Sequence, residues 1–298
     1  MRFFRRAEPE AFDPTQPLVA TGNLRRRHFA SRVAQTLAVA AAAAAVAVLA
    51  IVIIAVVSHG IKAISWDFIT KGEPKGIAPN LVGTGIIVGI GTLLALPIGV
   101  LIALFLTEYA GSRTARPVQT MMDVMNGLPS IIVAVFIFLL IVGPSHQQSG
   151  FAAGIALAII EVPLIARGTQ EVLLLVPSAQ REAADALGVA RWRGILTIIL
   201  PAATGGIVTA TLLSVARAAG ETAPVLLLTS LGKGDTFHFN PFEELPSVPV
   251  KIFQLSEEAN PEGFTEAWGL SLILIVIILV LGLSSRALLN RSKRKLTR

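Results

Sequence analysis

The chain of 298 residues is 53% hydrophobic and 15% charged, with a mean hydropathy of +0.71, a formal net charge of +6 and a pI near 10.2. Soluble domains carry roughly 25% charged residues, so this composition excludes an ordinary water-facing surface. Cysteine is absent, which removes disulfides, thiolate metal sites and cysteine nucleophiles together and leaves the redox compartment unreadable.

The basic residues gather at the two ends. Arg2, Arg5, Arg6, Arg25, Arg26, Arg27 and Arg32 precede the first apolar run, and Arg286, Arg291, Lys293, Arg294, Lys295 and Arg298 follow the last. Basic flanks around apolar segments signal membrane topology before they signal a nucleic-acid surface. A bilayer core about 30 Å thick needs ~20 apolar helical residues. Uncharged runs of that length occupy 33–61, 76–107, 124–160, 194–216 and 267–285. The third is too long for one span and is divided by the turn-rich 143–150, Gly-Pro-Ser-His-Gln-Gln-Ser-Gly.

In chain order the expected spans are 34–57, 81–106, 124–143, 151–167, 202–230 and 268–286. The fold class is therefore all-α integral membrane, with about six transmembrane helices across 34–286. Residues 1–33 are expected to form a cytoplasmic N-terminal segment and 287–298 a basic cytoplasmic tail. The first run lies behind a long polar leader and is too long for a cleaved signal, so it reads as a retained helix. The basic flanks place both termini in the cytoplasm, with Arg113, Arg116, Arg181, Arg191 and Arg193 on the same side. The acidic segment 232–266, with prolines at 241, 246, 249 and 261, falls outside and is expected to be an irregular polar cap. The final helix then returns the chain to the cytoplasm.

Between the fourth and fifth spans stand Glu182-Ala183-Ala184, Gly188, Ile198, Leu200 and Pro201. Pro177-Ser178 can open a short helix there, with Ser178 as its cap and Glu182 near its first turn, where a carboxylate suits the dipole. Ala183, Ala184 and Leu187 give it a small apolar face, and Gly188 can end it in the left-handed conformation. The segment 177–195 is thus a stiff peg that could carry rigid-body motion from a soluble partner, or an amphipathic connector on the bilayer surface. The spacing resembles the EAA loop of ABC importer permeases, in which Glu-Ala-Ala is followed by Gly and then Ile-any-Leu-Pro. The resemblance implies the type I ABC importer permease fold and assigns ATPase coupling to Glu182, Ala183, Ala184, Leu187 and Gly188.

Three further segments resemble permeases of the bacterial phosphate-specific importer: 126–131 (Asn-Gly-Leu-Pro-Ser-Ile), 167–171 (Arg-Gly-Thr-Gln-Glu) and 216–224 (Ala-Arg-Ala-Ala-Gly-Glu-Thr-Ala-Pro). The last is closer to the A-type subunit than to its C-type partner. What the resemblance implies is a phosphate pathway touching Arg167, Arg217, Glu221, Asn126, Ser130 and Thr222, in the cytoplasmic (inner) membrane of a bacterium. The implied partners are a C-type permease, a homodimeric ATP-binding subunit and an extracytoplasmic phosphate-binding protein. Neither a cofactor, a metal nor a catalytic residue is implied.

The residues themselves leave structural alternatives. Asn126 to Ser130 reads either as a broken helix start, which attracts anions, or as a proline kink with a glycine contact. Arg167 can snorkel or pair with Glu171. Arg217 and Glu221 share a helix face in an apolar stretch that Gly220 and Pro224 are expected to break. Glu161 puts a carboxylate at membrane depth where the family is apolar. There it is a pathway-facing or interhelical residue, or else a proton relay.

No Gly-x-x-x-x-Gly-Lys-Ser/Thr occurs, so ATP must be hydrolysed by another chain; Gly232-Lys233-Gly234-Asp235 has the wrong spacing and reads as a turn. A proton-coupled carrier, motivated by Glu161 and Glu221, leaves the EAA loop unexplained. An intramembrane enzyme is disfavoured because His-Glu-x-x-His is missing and His28, His59, His146 and His238 lie in flanks or loops. Molybdate or sulfate is the alternative cargo.

Overall fold

The computed structural model describes residues 24–109, 111–230, 232–258 and 260–296. Thirteen helices follow one another, and no strand occurs among the described residues. They are α1 (Leu24–Gly60), α2 (Trp66–Thr70), α3 (Ala78–Glu108), α4 (Ala115–Gly127), α5 (Ser130–Ile137), α6 (Gly143–Ser145), α7 (Gly150–Leu174), α8 (Ser178–Ala186), α9 (Arg191–Gly194), α10 (Leu200–Ala218), α11 (Ala223–Thr229), α12 (Val248–Glu257) and α13 (Pro261–Leu296). Residues up to Ile54, most of α1, form one compact unit, and Ala55 onward forms a second that carries every feature below. Most of the expected N-terminal segment, residues 1–23, lies outside the described residues.

Five helical stretches are long and apolar enough to cross a bilayer: Arg26–Gly60, Ala78–Glu108, Gly150–Leu174, Arg191–Ala218 and Pro261–Ala287. A sixth is a bent pair, Ala115–Gly127 with Ser130–Ser145, turned by 98°. The bend falls at Leu128-Pro129, both with extended backbone (ψ 132). Proline forbids the helical region to the residue before it, so α4 stops there and α5 starts afresh. Side chains such as Leu93, Leu101 and Leu139 stand outward and exposed. Each would lose about 1.5–3 kcal/mol by remaining in water, so a lipid environment is the physical reading of that surface.

The centre of the second unit is the α3–α7 pair. On α3 the buried small residues Gly91, Ala95, Gly99 and Ala103 recur every fourth position, which lets the backbones approach closely. A Cβ on Gly91 would stand 3.0 Å from the Leu157 Cβ, and one on Gly99 2.9 Å from Ile165 Cγ2. Against this pair α10 packs, held in turn to α13 by a reciprocal polar link. Thr209 Oγ1 donates to the Ser285 carbonyl and Ser285 Oγ to the Thr209 carbonyl, each at 3.2 Å.

Two prolines alter helix pitch. Residues 138–142 and 195–199 are π turns, in which Gly143 N–H donates to Phe138 O and Leu200 N–H to Ile195 O. Pro144 and Pro201 follow at once, and their rings, which crowd the carbonyl four residues back, favour the wider turn. Pro201 closes the EAA-like motif.

Three expectations need correction. The fourth span is Gly150–Leu174, longer than 151–167, because Arg167 and Glu171 ride on the same helix. The fifth is Arg191–Ala218, and Ala219–Thr222 separates it from α11, so the break foreseen around Gly220 is present. The acidic segment is not wholly an irregular cap, since 245–250 is buried and Pro249, at the start of α12, opens a helix. The turn at Gly232-Lys233-Gly234-Asp235 holds this region against the 70s loop, with Glu73 N–H donating to the Gly234 carbonyl (2.9 Å). A Cβ on Gly234 would sit 2.3 Å from Glu73 Oε1 and 2.4 Å from Asn80 Oδ1, so a larger residue there would have to displace these two side-chain ends.

Candidate functional site

The EAA-like segment folds as the short helix α8. Pro177 occupies the cap position without a side-chain hydrogen bond, so Ser178 is the first helical residue and not the cap. The other end closes as expected. Gly188 has φ +67, its N–H donates to Asp185 O (3.0 Å), and Val189 N–H donates to Ala184 O (3.0 Å). These two bonds are a Schellman ending, in which glycine supplies the left-handed residue. The apolar face divides: Ala184 is buried beside Gly194, while Glu182, Ala183 and Leu187 are exposed. Leu187 is 81% exposed and Trp192 60%, an apolar edge open to a partner.

One carboxylate that sequence reasoning missed anchors this segment. Glu108, the last residue of α3, is 7% exposed and pairs through Oε1 with Arg181 of α8 and through Oε2 with Arg191 of α9 (3.6 Å). Arg181 also donates to the Leu173 carbonyl at the end of α7 (3.0 Å), and Arg191 donates to the Glu108 carbonyl and lies over the Tyr109 ring at 4.8 Å.

The second assembly is a cavity of about 190 Å³ where α4, α5, α7 and the end of α10 meet. Its wall includes Asn126, Ser130, Ile160, Leu164, Arg217 and Glu221. Residues separated by more than ninety positions in the chain thus converge, four of them expected pathway residues. Ile160 is ten residues, about 15 Å, from the Gly150 end of α7 and about 21 Å from the Leu174 end, which puts the cavity near the middle of that helix. The start of α5 has no side-chain cap; Ile132 N–H donates to Pro129 O (3.0 Å), which leaves the N–H groups of Ser130 and Ile131 and the positive end of the dipole there.

Arg217 lies in the last turn of α10 and Glu221 beyond it, so they face each other across the helix end and do not share a helix face. Arg217 Nε and Glu221 Oε1 are 3.7 Å apart, outside hydrogen-bonding distance, and the Arg217 side chain is 58% exposed. The energies decide what this pair does. An exposed ion pair returns roughly 0.2–1 kcal/mol and the helix dipole about 0.3–1 kcal/mol. Both are small, so helix stabilisation alone does not account for a charge at this place.

The other expected residues lie elsewhere. Arg167 pairs with Asp123 of α4 and not with Glu171, both side chains being about half exposed (49% and 48%). Thr222 neighbours Glu221 but does not line the cavity, and its hydroxyl makes only a 3.5 Å contact with Gly220 O. Glu161 is fully buried and also outside the cavity wall. Its Oε2 accepts from Thr92 Oγ1 (3.0 Å) and Ser214 Oγ (3.5 Å), while Oε1 has no partner among the described residues. It links α3, α7 and α10 as an interhelical contact.

Five membrane-length helices and a bent pair, with a polar cavity beside the break, are the architecture of a multi-pass membrane protein. The chain belongs to the family of binding-protein-dependent transport system inner membrane components, whose model matches residues 95–298. It is 36% identical over 292 residues to phosphate transport system permease protein PstA 1 of Mycobacterium tuberculosis, covering 93% of each chain. It is 37% identical over 244 residues to phosphate transport system permease protein PstA of Haemophilus influenzae, covering 80% of this chain and 86% of that one. Among solved structures, the MetNI methionine ABC transporter in an inward-facing conformation superposes with a TM-score of 0.55 at 20% identity, over 76% of this chain and 96% of that chain. A bacterial ABC transporter that imports alginate gives a TM-score of 0.53 at 18% identity, over 75% of this chain and 84% of that chain. The fold is that of the type I ABC importer permeases.

Proposed function

We propose that this chain is the A-type permease of an ATP-driven importer of inorganic phosphate. The observation that carries the reading is the meeting of Asn126, Ser130, Arg217 and Glu221 around one cavity at an uncapped helix start. A guanidinium that stays protonated and a fan of backbone N–H groups suit a phosphate oxyanion, and Glu221 keeps the anion from binding too tightly to leave. Arg167, seven residues or about 10 Å from Ile160 along α7, extends the route toward the coupling end, and Thr222 flanks it at Glu221.

The relatives carry phosphate in their names, which supports the cargo. In this reading a C-type permease stands beside the chain and completes the pathway. Two copies of an ATPase lie beneath, and an extracytoplasmic binding protein delivers phosphate. Both termini and the loop 177–195 face the cytoplasm, as the basic residues around them favour. Glu182, Ala183, Ala184, Leu187 and Gly188 form the peg that seats in the ATPase, with Leu187 and Trp192 as its apolar edge. The permease performs no covalent chemistry and shifts between two access states that nucleotide and loaded binding protein bias.

The test is uptake of labelled phosphate by the reconstituted importer. The expected result is ATP-dependent uptake that needs the binding protein and is not reduced by a tenfold excess of sulfate or molybdate. Equal competition by either oxyanion would reassign the cargo. Uptake driven by a proton gradient without ATP would replace the class.

A further inference from the structure

We propose that Glu108 is a positioning residue that transmits displacement of α8 to the α3–α7 pair, and so to the wall of the anion cavity. The inference deepens the coupling reading above and rests on it. Apolar packing is a poor candidate for that linkage. Within α8 only Ala184 is buried, and a cleft of about 450 Å³ opens between α8, the end of α3, α9 and the π turn at 195–199, with Glu108, Arg181 and Arg191 on its lining. Across this gap the side-chain links run through Arg181. Its guanidinium joins the Glu108 carboxylate on α3 and donates to the Leu173 carbonyl on α7 (3.0 Å), so one residue of the peg grips both members of the pair.

Arg191 holds the same carboxylate from the far side of Gly188, through the other oxygen (3.6 Å), and donates to the carbonyl of the same residue. The peg is thus keyed on both flanks. A carboxylate in the last turn of a helix opposes the macrodipole, so Glu108 does not serve α3 as an isolated helix. The two arginines, which stay charged at any working pH, offset that placement. Because small residues bring α3 and α7 together tightly, the pair moves as a body, and Ile159, Ile160 and Leu164 of α7 wall the cavity. The route is a chain of physical contacts from peg to pathway.

The experiment uses the whole importer in proteoliposomes and reads phosphate imported per ATP hydrolysed. With Glu108→Gln the expected ratio falls at least tenfold while ATP hydrolysis stays within twofold and the subunit remains inserted. The native chain contains no cysteine, so Glu108→Cys with Arg181→Cys gives a second, independent arm. This pair is expected to be uncoupled when reduced and to regain at least a third of the native ratio when joined by a bifunctional thiol reagent. A structural role alone predicts no such rescue. If Glu108→Gln does not accumulate, the cysteine pair alone decides. An unchanged ratio, a parallel fall of both activities, or failure of the bridge to restore coupling overturns the inference. Separately, Leu187→Cys is expected to cross-link to the ATPase in otherwise native chain and in Glu108→Gln alike. Absence of that cross-link in otherwise native chain would overturn the coupling reading itself, and this inference with it.

Discussion

Arginines occupy two places in the second unit, beside α8 and at the cavity, and are treated differently by their surroundings. At the coupling end, Arg181 and Arg191 engage the same carboxylate, and each also bonds a helix-terminal carbonyl. At the cavity Arg217 meets one carboxylate at 3.7 Å, makes no hydrogen bond with it, and remains 58% exposed. Glu108, whose side chain is 7% exposed, is the buried charge at the coupling end, and because such a charge without good partners is expensive the first set is drawn onto it, although Arg191 itself is 56% exposed. The second keeps donors available. The difference is in hydrogen bonding: Arg181 and Arg191 each donate to a helix-terminal carbonyl, whereas among the described residues Arg217 forms a 3.7 Å ion pair with Glu221.

The largest effect that would sharpen this contrast is at Arg217. A charge-assisted hydrogen bond contributes about 1.5–3 kcal/mol, so Arg217→Gln should lower phosphate uptake about 100-fold with insertion intact. Glu221→Gln combined with it should not recover transport. If the double variant transports normally while each single fails, the pair is only mutual neutralisation, and the contrast collapses. Next comes the peg. A β-branched residue in the left-handed region costs roughly 1–2 kcal/mol, so Gly188→Val should lower uptake and stimulated ATP hydrolysis together by about tenfold at normal membrane levels. Glu182→Lys, which reverses an exposed charge on the peg, should act in the same direction.

Smaller still is Arg167→Gln. Its half-exposed pairing with Asp123 is of the class that contributes roughly 0.2–1 kcal/mol, so uptake should fall less than about fivefold. A loss as large as that at Arg217 would show that the route runs through Arg167 with equal weight. The smallest effect is expected at Glu161, where Glu161→Gln preserves an oxygen acceptor for Thr92 and Ser214 without a buried charge. Uptake within about twofold and an unchanged pH profile are the expected readings in ATP-driven transport assays. A displaced pH profile would make this carboxylate a proton relay.

Much of this was legible in sequence because it rests on local chemistry. Apolar runs located the spans without fixing the ends of the fourth and fifth, Pro129 marked a break or kink within 126–130, Gly188 the left-handed cap, and Gly220 with Pro224 the break after α10. The grouping of Asn126, Ser130, Arg217 and Glu221 was accessible only through family resemblance, since no spacing rule brings such distant residues together. Glu108 was missed because its partners lie 73 and 83 positions away. One signal was present: a lone carboxylate closing an apolar run at a helix C-terminus opposes the dipole and calls for cations. Arg167 was matched with Glu171 by helical spacing, yet tertiary packing presented Asp123, 44 positions earlier. The buried stretch 245–250 was hidden by the acidic, proline-rich composition around it.

The account's central claim is that the cavity between α5, α7 and α10 is part of the anion route. Ser130→Cys in this cysteine-free chain tests it most directly. In the assembled importer, the thiol should react with a small charged thiol reagent supplied from one side without nucleotide and from the other side with ATP trapped. Phosphate should slow the reaction, and modification should block uptake. A thiol that stays unreactive from both sides in both states, or that reacts with no effect on uptake, would contradict the claim.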